Sequence, residues 1–318
     1  MRTGSFVIQD LSVEILCEET AYSLVSNYFE SICNRKTNPK IKPLRLELHI
    51  LDEPPSIPTD SVRGIQGPSV TTHARGNDIY LASLDGSLIH LDTVEKESKA
   101  YLKEAILTDT EKFFSLLGQL LVESLRYNGL HFLHAAALNS NGLGLLFSGD
   151  GGCGKTTNSL GLIQNGFHFV SDDSIFLEKK DGKVIVHPLY KAFHIDRDLS
   201  LRFPELTEGT NHCIPPDMKL AIDVSQIYSG RFIPTMTPNI IIFPKITFDA
   251  KSHISPLTQI EVYSRLLTQI ILAPQKTIIK KDLQILEQLV TQTTGFELMT
   301  GKDVYEDPSK LIELICYL

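Results

Sequence analysis

The sequence predicts an α/β protein in which a phosphate-loop domain (residues 126–318) follows a smaller α+β domain (residues 1–125). Three observations carry this. An apolar strand, a glycine-rich loop and an amphipathic helix succeed one another over residues 143–164. The first 125 residues mix period-two and helical patterns. Finally, 318 residues with 42% hydrophobic and 21% charged side chains suit one large or two ordinary cores.

In chain order, SFVIQDLSVEIL alternates loosely and reads as a strand or a hairpin, and AYSLVSNYFESIC places Tyr22, Val25 and Phe29 at helical spacing. LRLELHIL sends Leu44, Leu46, Leu48 and Ile50 to one face of a strand and Arg45, Glu47 and His49 to the other. The stretch LDEPPSIPTDSVRGIQGPS, rich in Pro, Gly, Ser and Asp, predicts loop. DIYLASL and SLIHLD predict two short strands joined at Asp85-Gly86. From about Thr110, Phe113, Leu116, Leu117, Leu120, Leu121 and Leu125 form the apolar stripe of a helix that Gly129 can end.

HFLHAAAL and LGLLFS then predict strands around the turn Asn139 to Gly142. The glycine-rich loop, a helix, the strand FHFVS and a hairpin about Asp181-Gly182 follow. NIIIFPKI reads as a buried strand, and TQIEVYSRLLTQIIL and KDLQILEQLVTQT as late helices.

A net charge of −8 and a pI near 5.7 argue against a surface built to neutralise nucleic-acid phosphates. The start lacks the pattern of a signal peptide, and no apolar run approaches the roughly 18–20 residues of a membrane span. Cys17, Cys33, Cys153, Cys213 and Cys316 are scattered without a CxxC pair, which fits reduced thiols. The expected setting is cytoplasmic, with no nucleic-acid or membrane partner.

Gly149-Asp150-Gly151-Gly152-Cys153-Gly154-Lys155-Thr156 fits G-x-x-x-x-G-K-[ST] at every position. Glycines let backbone N–H groups turn inward around phosphate oxygens, and the following helix adds the positive end of its dipole. Lys155 is placed to reach the β and γ phosphates and the Thr156 hydroxyl to hold magnesium. Cys153 needs only to be small, a simpler reading than a reactive nucleophile.

Asp172 and Asp173 end the next apolar strand, Asp173 lying 18 residues beyond Lys155. A helix from Lys155 to Gln164 is roughly 15 Å long. The turn at Asn165-Gly166 then brings FHFVS back, so the pair arrives beside the phosphates at the carboxyl ends of the strands. One carboxylate can join Thr156 at the metal while the other accepts a proton. The plainer role for either is to cap the next turn.

On chemistry alone His134, flanked by apolar residues, reads as a packed core histidine. The succession His134-Ala-Ala-Ala-Leu, Gly-Leu-Gly-Leu-Leu-Phe-Ser-Gly-Asp, the loop, and Gly166-Phe-His-Phe-Val-Ser-Asp-Asp resembles the catalytic core of HPr kinase/phosphorylase. It is more distantly similar to the phosphoenolpyruvate carboxykinase type of phosphate-loop fold. The resemblance implies an ATP- and magnesium-dependent kinase domain built on a mixed sheet. In it Lys155 contacts the transferred phosphate, Asp173 is the general base, His134 is its partner, and Thr156 and Asp172 bind magnesium. Residues 149–157 cradle the nucleotide, with Thr157 where HPr kinases carry an acidic residue.

Relatives that tailor lasso peptides phosphorylate a precursor serine, which suggests a peptide or small-protein substrate bearing a serine. A small hydroxylated metabolite and a non-catalytic, nucleotide-sensing role are the alternatives, and a homo-oligomer is left open. Lys191, His194, Asp196, Arg197 and Arg202 form a cationic stretch that reads first as a solvated face, second as a cluster for the γ-phosphate. Lys219 is a similar candidate, and the adjacent His212 and Cys213 suit no common metal spacing.

Overall fold

The computed structural model describes residues 1–9, 11–32, 42–66, 69–208, 218–247 and 249–316. Cys33, His212 and Cys213 lie outside them. The chain forms two compact units, residues 1–131 with 271–283, and residues 132–270 with 284–318. Where the sequence suggests a single contiguous boundary after residue 125, a later segment returns to the first unit.

That unit is built on strands β1 (Arg2–Ile8), β2 (Leu11–Cys17), β3 (Leu44–Ile50), β4 (Val62–Gln66), β5 (Val70–Arg75), β6 (Asp78–Ser83), β7 (Leu88–Asp92) and β8 (Glu97–Leu102). They form one sheet in the order β1-β2-β3-β8-β7-β6-β5-β4. The β2–β3 and β3–β8 pairs are parallel and the others antiparallel. Leu44, Leu46 and Leu48 are buried as their alternation predicts.

Helix α1 (Glu19–Ser31) packs against β1, and α2 (Thr110–Arg126) against β5, β6 and β7. The helices meet through Tyr28 and Phe114, whose ring centroids are 5.0 Å apart. All six apolar stripe residues of α2 are fully buried, each contributing about 1.5–3 kcal/mol. Asp109 caps its start by accepting from Lys112 N at 3.1 Å.

Strand β4 corrects the expectation of loop through residues 51–69. Among the described residues it is an edge strand that pairs only with β5, with a register shift between Arg63 and Gln66. One-sided pairing tolerates a composition that a central strand would not. Gly64 has a further reason to lack a side chain, since a Cβ there would lie 3.2 Å from Thr72 O and 3.4 Å from Pro274 Cβ.

The returning segment is fastened by buried charge. Arg126 Nη1 lies 2.8 Å from both Glu123 carboxylate oxygens, and Nη2 donates to Ile271 O. Asp282 Oδ1 is 2.6 Å from His131 Nδ1 and 3.7 Å from Arg126 Nε. Burial pushes the Glu123 carboxyl up, so its ionised form depends on Arg126.

The second unit contains β9 (Leu130–Ser140), β10 (Leu143–Ser148), β11 (His168–Ser171), β12 (Ser174–Lys180), β13 (Lys183–Pro188), β14 (Ala192–Ile195), β15 (Leu220–Asp223), β16 (Ile240–Ile246), β17 (His253–Leu257) and β18 (Thr294–Thr300). Its helices are α3 (Lys155–Gln164), α4 (Arg197–Arg202), α5 (Val224–Ile227), α6 (Gln259–Leu267), α7 (Lys276–Gln292, begun in the first unit), α8 (Lys302–Glu306) and α9 (Ser309–Cys316).

The main sheet runs β13-β12-β9-β10-β16-β18-β17, and β11 also pairs with β9. It is mixed: β10 is parallel to β16 and β16 to β18, whereas β9 is antiparallel to both β10 and β11. Leu145 and Phe147 of β10 face an apolar cluster that includes Leu160, Phe169, Leu311 and Ile315; Leu146 faces another with Val262, Leu286 and Leu289. Covering on both faces is why LGLLFS is continuously apolar rather than alternating.

Strands β5, β8, β14, β15, β17 and β18 carry little signal in the sequence, because each is short or broken by polar residues. The hairpin about Asp181-Gly182 forms as expected, both residues having the positive φ (49° and 77°) of a tight turn.

Candidate functional site

The loop leaves β10 at Ser148 and enters α3 at Lys155. Gly152 and Gly154 hold φ of 79° and 102°, a region that strains side-chain-bearing residues. Lys155 is buried, and its Nζ donates to Gly149 O at 2.7 Å and Asp150 O at 3.2 Å, which anchors the ammonium on the loop. Asp150 Oδ1 accepts from Gln269 Nε2 at 3.0 Å. Sequence reasoning missed Gln269, a residue of ordinary type 119 positions away. Burial pushes the Cys153 thiol up, which suits a small loop residue rather than a thiolate nucleophile.

The strand carrying the two aspartates does not adjoin β10. Strand β9 lies between, antiparallel to both, so β10 and β11 still run the same way and end on the same edge. A register irregularity between Phe169 and Ser171 precedes the pair, and such bulges re-aim the residues after them.

Asp172 is buried, and Thr156 Oγ1 donates to its Oδ2 at 3.0 Å. Its Oδ1 is buried and, among the described residues, has no hydrogen-bond partner. Burial first, and then the charge of Asp173, push its carboxyl up to about 7 against the opposing pull of Thr156, Lys155 and Lys219.

Asp173 is more open. Burial alone would raise its carboxyl, but His134, Lys155 and His194 outweigh that and hold it below the usual carboxylate range. His134 Nδ1 lies 3.3 Å from Asp173 Oδ1. The backbone fixes the pair: Ala135 N donates to Asp173 O and His134 N to Gln269 O, both at 2.9 Å. His134 thus faces a carboxylate rather than an apolar core.

A divalent cation fits this donor set. A hydroxyl and a carboxylate supply hard oxygens, and the orphaned Asp172 Oδ1 is a buried acceptor with nothing to accept from. Among the described residues, no group of three or more His, Cys, Asp or Glu is placed to hold a metal.

The cationic stretch divides. His194 and Lys219 act electrostatically on the aspartates. Lys191 sits over the Phe232 ring at 4.9 Å, and Arg202 over Tyr305 at 4.0 Å. Asp196 caps α4 by accepting from Leu199 N at 2.9 Å, and Arg197 is exposed. Cys17, Cys153 and Cys316 are free thiols. No helix among the described residues is long and apolar enough to cross a membrane.

No protein-family model matches the chain. It is 43% identical over 60 residues to the HPr kinase/phosphorylase of Mycoplasma mycoides subsp. mycoides SC, covering 18% of this chain and 19% of that protein. With that of Clostridium botulinum it shares 34% over 53 residues (17% of each), and with that of Lactobacillus acidophilus 29% over 99 residues (30% and 31%). The matches thus span about a sixth to a third of these relatives. The solved structure of the Hpr(Ser) kinase/phosphatase from Coxiella burnetii matches over 58% of this chain and 94% of that one, at 15% identity and a TM-score of 0.32. The local similarities support the HPr-kinase-like character of the chain.

Proposed function

We propose that this HPr-kinase-like chain is an ATP- and magnesium-dependent kinase that transfers the γ-phosphate to a serine-type hydroxyl on a peptide or small protein. The observation that carries the reading is the gathering, at one sheet edge, of the loop lysine, a Thr156–Asp172 pair with an unsatisfied oxygen, and an ionised Asp173 held by His134.

Lys155, already at the loop mouth, exchanges its carbonyl contacts for phosphate oxygens, and the loop N–H groups donate to the same charge. Thr156 and Asp172 would hold magnesium, which supplies neutralisation of the phosphate charge when bound. Asp173 takes the proton of the acceptor hydroxyl as its oxygen bonds to the γ-phosphorus and the bond to the bridging β–γ oxygen breaks. A carboxylate below the usual range suits a loose transition state, in which the attacking oxygen becomes acidic late. His134 orients Asp173.

A peptide acceptor is favoured over a metabolite by the first unit. Among the described residues, its edge strand β1 is paired on one side only, by β2, beside an open concavity of about 660 Å3 lined by Glu14, Arg45, Glu97 and Lys99. Extended peptides add to such edges.

The test is Asp173→Asn with Mg-ATP and a panel of serine peptides and metabolites, read as phosphate mass gain. Transfer is expected to fall by at least about a hundredfold while nucleotide affinity stays nearly unchanged. Equal transfer by variant and parent overturns the assignment.

A further inference from the structure

The two-stranded sheet of β14 and β15 lies beside the aspartate pair and has no part in the transfer described above. The strands pair antiparallel, with His194 opposite Ala221 and Ile195 opposite Leu220. Two contacts fix this sheet to the strand that carries the aspartates. The rings of Phe193 and Phe169 meet edge to face with centroids 5.3 Å apart, and Ser171 Oγ donates to Tyr190 O at 3.3 Å, just ahead of β14. Ser171 immediately precedes Asp172.

Alternation gives the sheet two unlike faces. Phe193 and Ile195 are buried in an apolar cluster, and Leu220 and Ile222 pack against it. His194 therefore points the other way, and Lys219, two residues before Ala221, shares its side; both are exposed. The acids of this face are already committed to helix caps. Asp196 accepts from Leu199 N at 2.9 Å and Asp223 from Ser225 N at 3.0 Å. Among the described residues, neither His194 nor Lys219 has a hydrogen-bond or ion-pair partner. Yet their charges are felt at the aspartates, that of His194 at Asp173 and that of Lys219 at Asp172.

We propose that Lys219 and His194 are further catalytic residues, which contact the γ-phosphate from the exposed face of the β14–β15 sheet. The inference rests on reading the loop as a nucleotide site and the aspartates as the transfer centre. In that reading the phosphoryl group passes between Asp172, on the metal-holding side, and Asp173, on the acceptor side. A pair of cations, one acting on each carboxylate, flanks that path. The loaded centre also calls for them. Two carboxylates and a triphosphate meet one loop lysine and one divalent cation, which leaves a net negative charge. The Lys219 ammonium brings three donors and the His194 ring at least one, and both can follow the phosphoryl oxygens as the bond to the leaving group lengthens.

The experiment is equilibrium binding of ATP and ADP to the full chain with magnesium, by calorimetry, since the two nucleotides differ only in the γ-phosphate. Both side chains are exposed, so their replacement leaves the core intact. Lys219→Met is expected to weaken ATP about tenfold and His194→Leu about threefold, each leaving ADP within about twofold. Lys219→Arg, which keeps the charge, is expected to hold ATP within about threefold of the parent. Equal falls for ATP and ADP, or no fall for ATP in either variant, overturn the assignment. So does a loss of transfer to serine peptides with ATP and ADP binding unchanged, which places the two cations on the acceptor instead. Failure of the kinase reading looks different: the variants lose ATP selectively as stated, and no acceptor gains phosphate from the parent.

Discussion

Asp172→Asn should shift the stability of the metal-free protein relative to its parent in a direction that grows more favourable as pH rises. The carboxyl is raised from an unfolded value of 3.8 to about 7, so the fold disfavours its ionised form. Stability associated with the protonated group is full below 3.8 and is lost as pH rises through about 7. At 1.36 kcal/mol per unit, the penalty is about 2 kcal/mol at pH 5 and about 4 kcal/mol at pH 8. An asparagine escapes it but buries an amide where Oδ1 now sits, at a cost of about 1–3 kcal/mol that does not vary with pH. The pH-dependent part is therefore the cleaner quantity: the variant should gain about 2–3 kcal/mol on its parent between pH 5 and pH 8.

The chain has no tryptophan and two units that need not unfold together. Peptide-resolved hydrogen exchange across a urea gradient in EDTA reads the second unit directly. A gain independent of pH would refute the reasoning. With saturating magnesium and nucleotide the ranking should reverse, because only the parent keeps the carboxylate.

Lys155→Met should weaken Mg-ATP on the order of a hundredfold by calorimetry, since a buried charge-assisted contact is lost. Gly144→Ala should cost at least about 3 kcal/mol in urea unfolding, because its Cβ would lie 2.1 Å from Thr237 O, a backbone atom that cannot turn aside. Arg126→Met should destabilise the first unit by about 3–5 kcal/mol by leaving Glu123 buried without its ion-pair partner. Adding Glu123→Gln should recover part of that loss in the same measurement.

The loop, the aspartate pair and His134 were legible because each carries its chemistry within a short local pattern. The order of strands was not. Nothing in LGLLFS or FHFVS says that an antiparallel strand separates them, since hairpins and crossovers leave the same apolar runs. Strand β4 hid behind prolines and glycines that an edge position tolerates. Arg202 was visible as a charge but not as a residue stacked on Tyr305, 103 positions later.

The passage of residues 271–283 back into the first unit also bears on heredity. Most modular proteins trade a front module by recombination at one junction. Here a gene cut after codon 131 would separate Arg126 and His131 from Asp282 and Ile271, whose contacts hold them. Replacing the front module means replacing two separate stretches of gene in concert. That linkage favours joint descent of the two units.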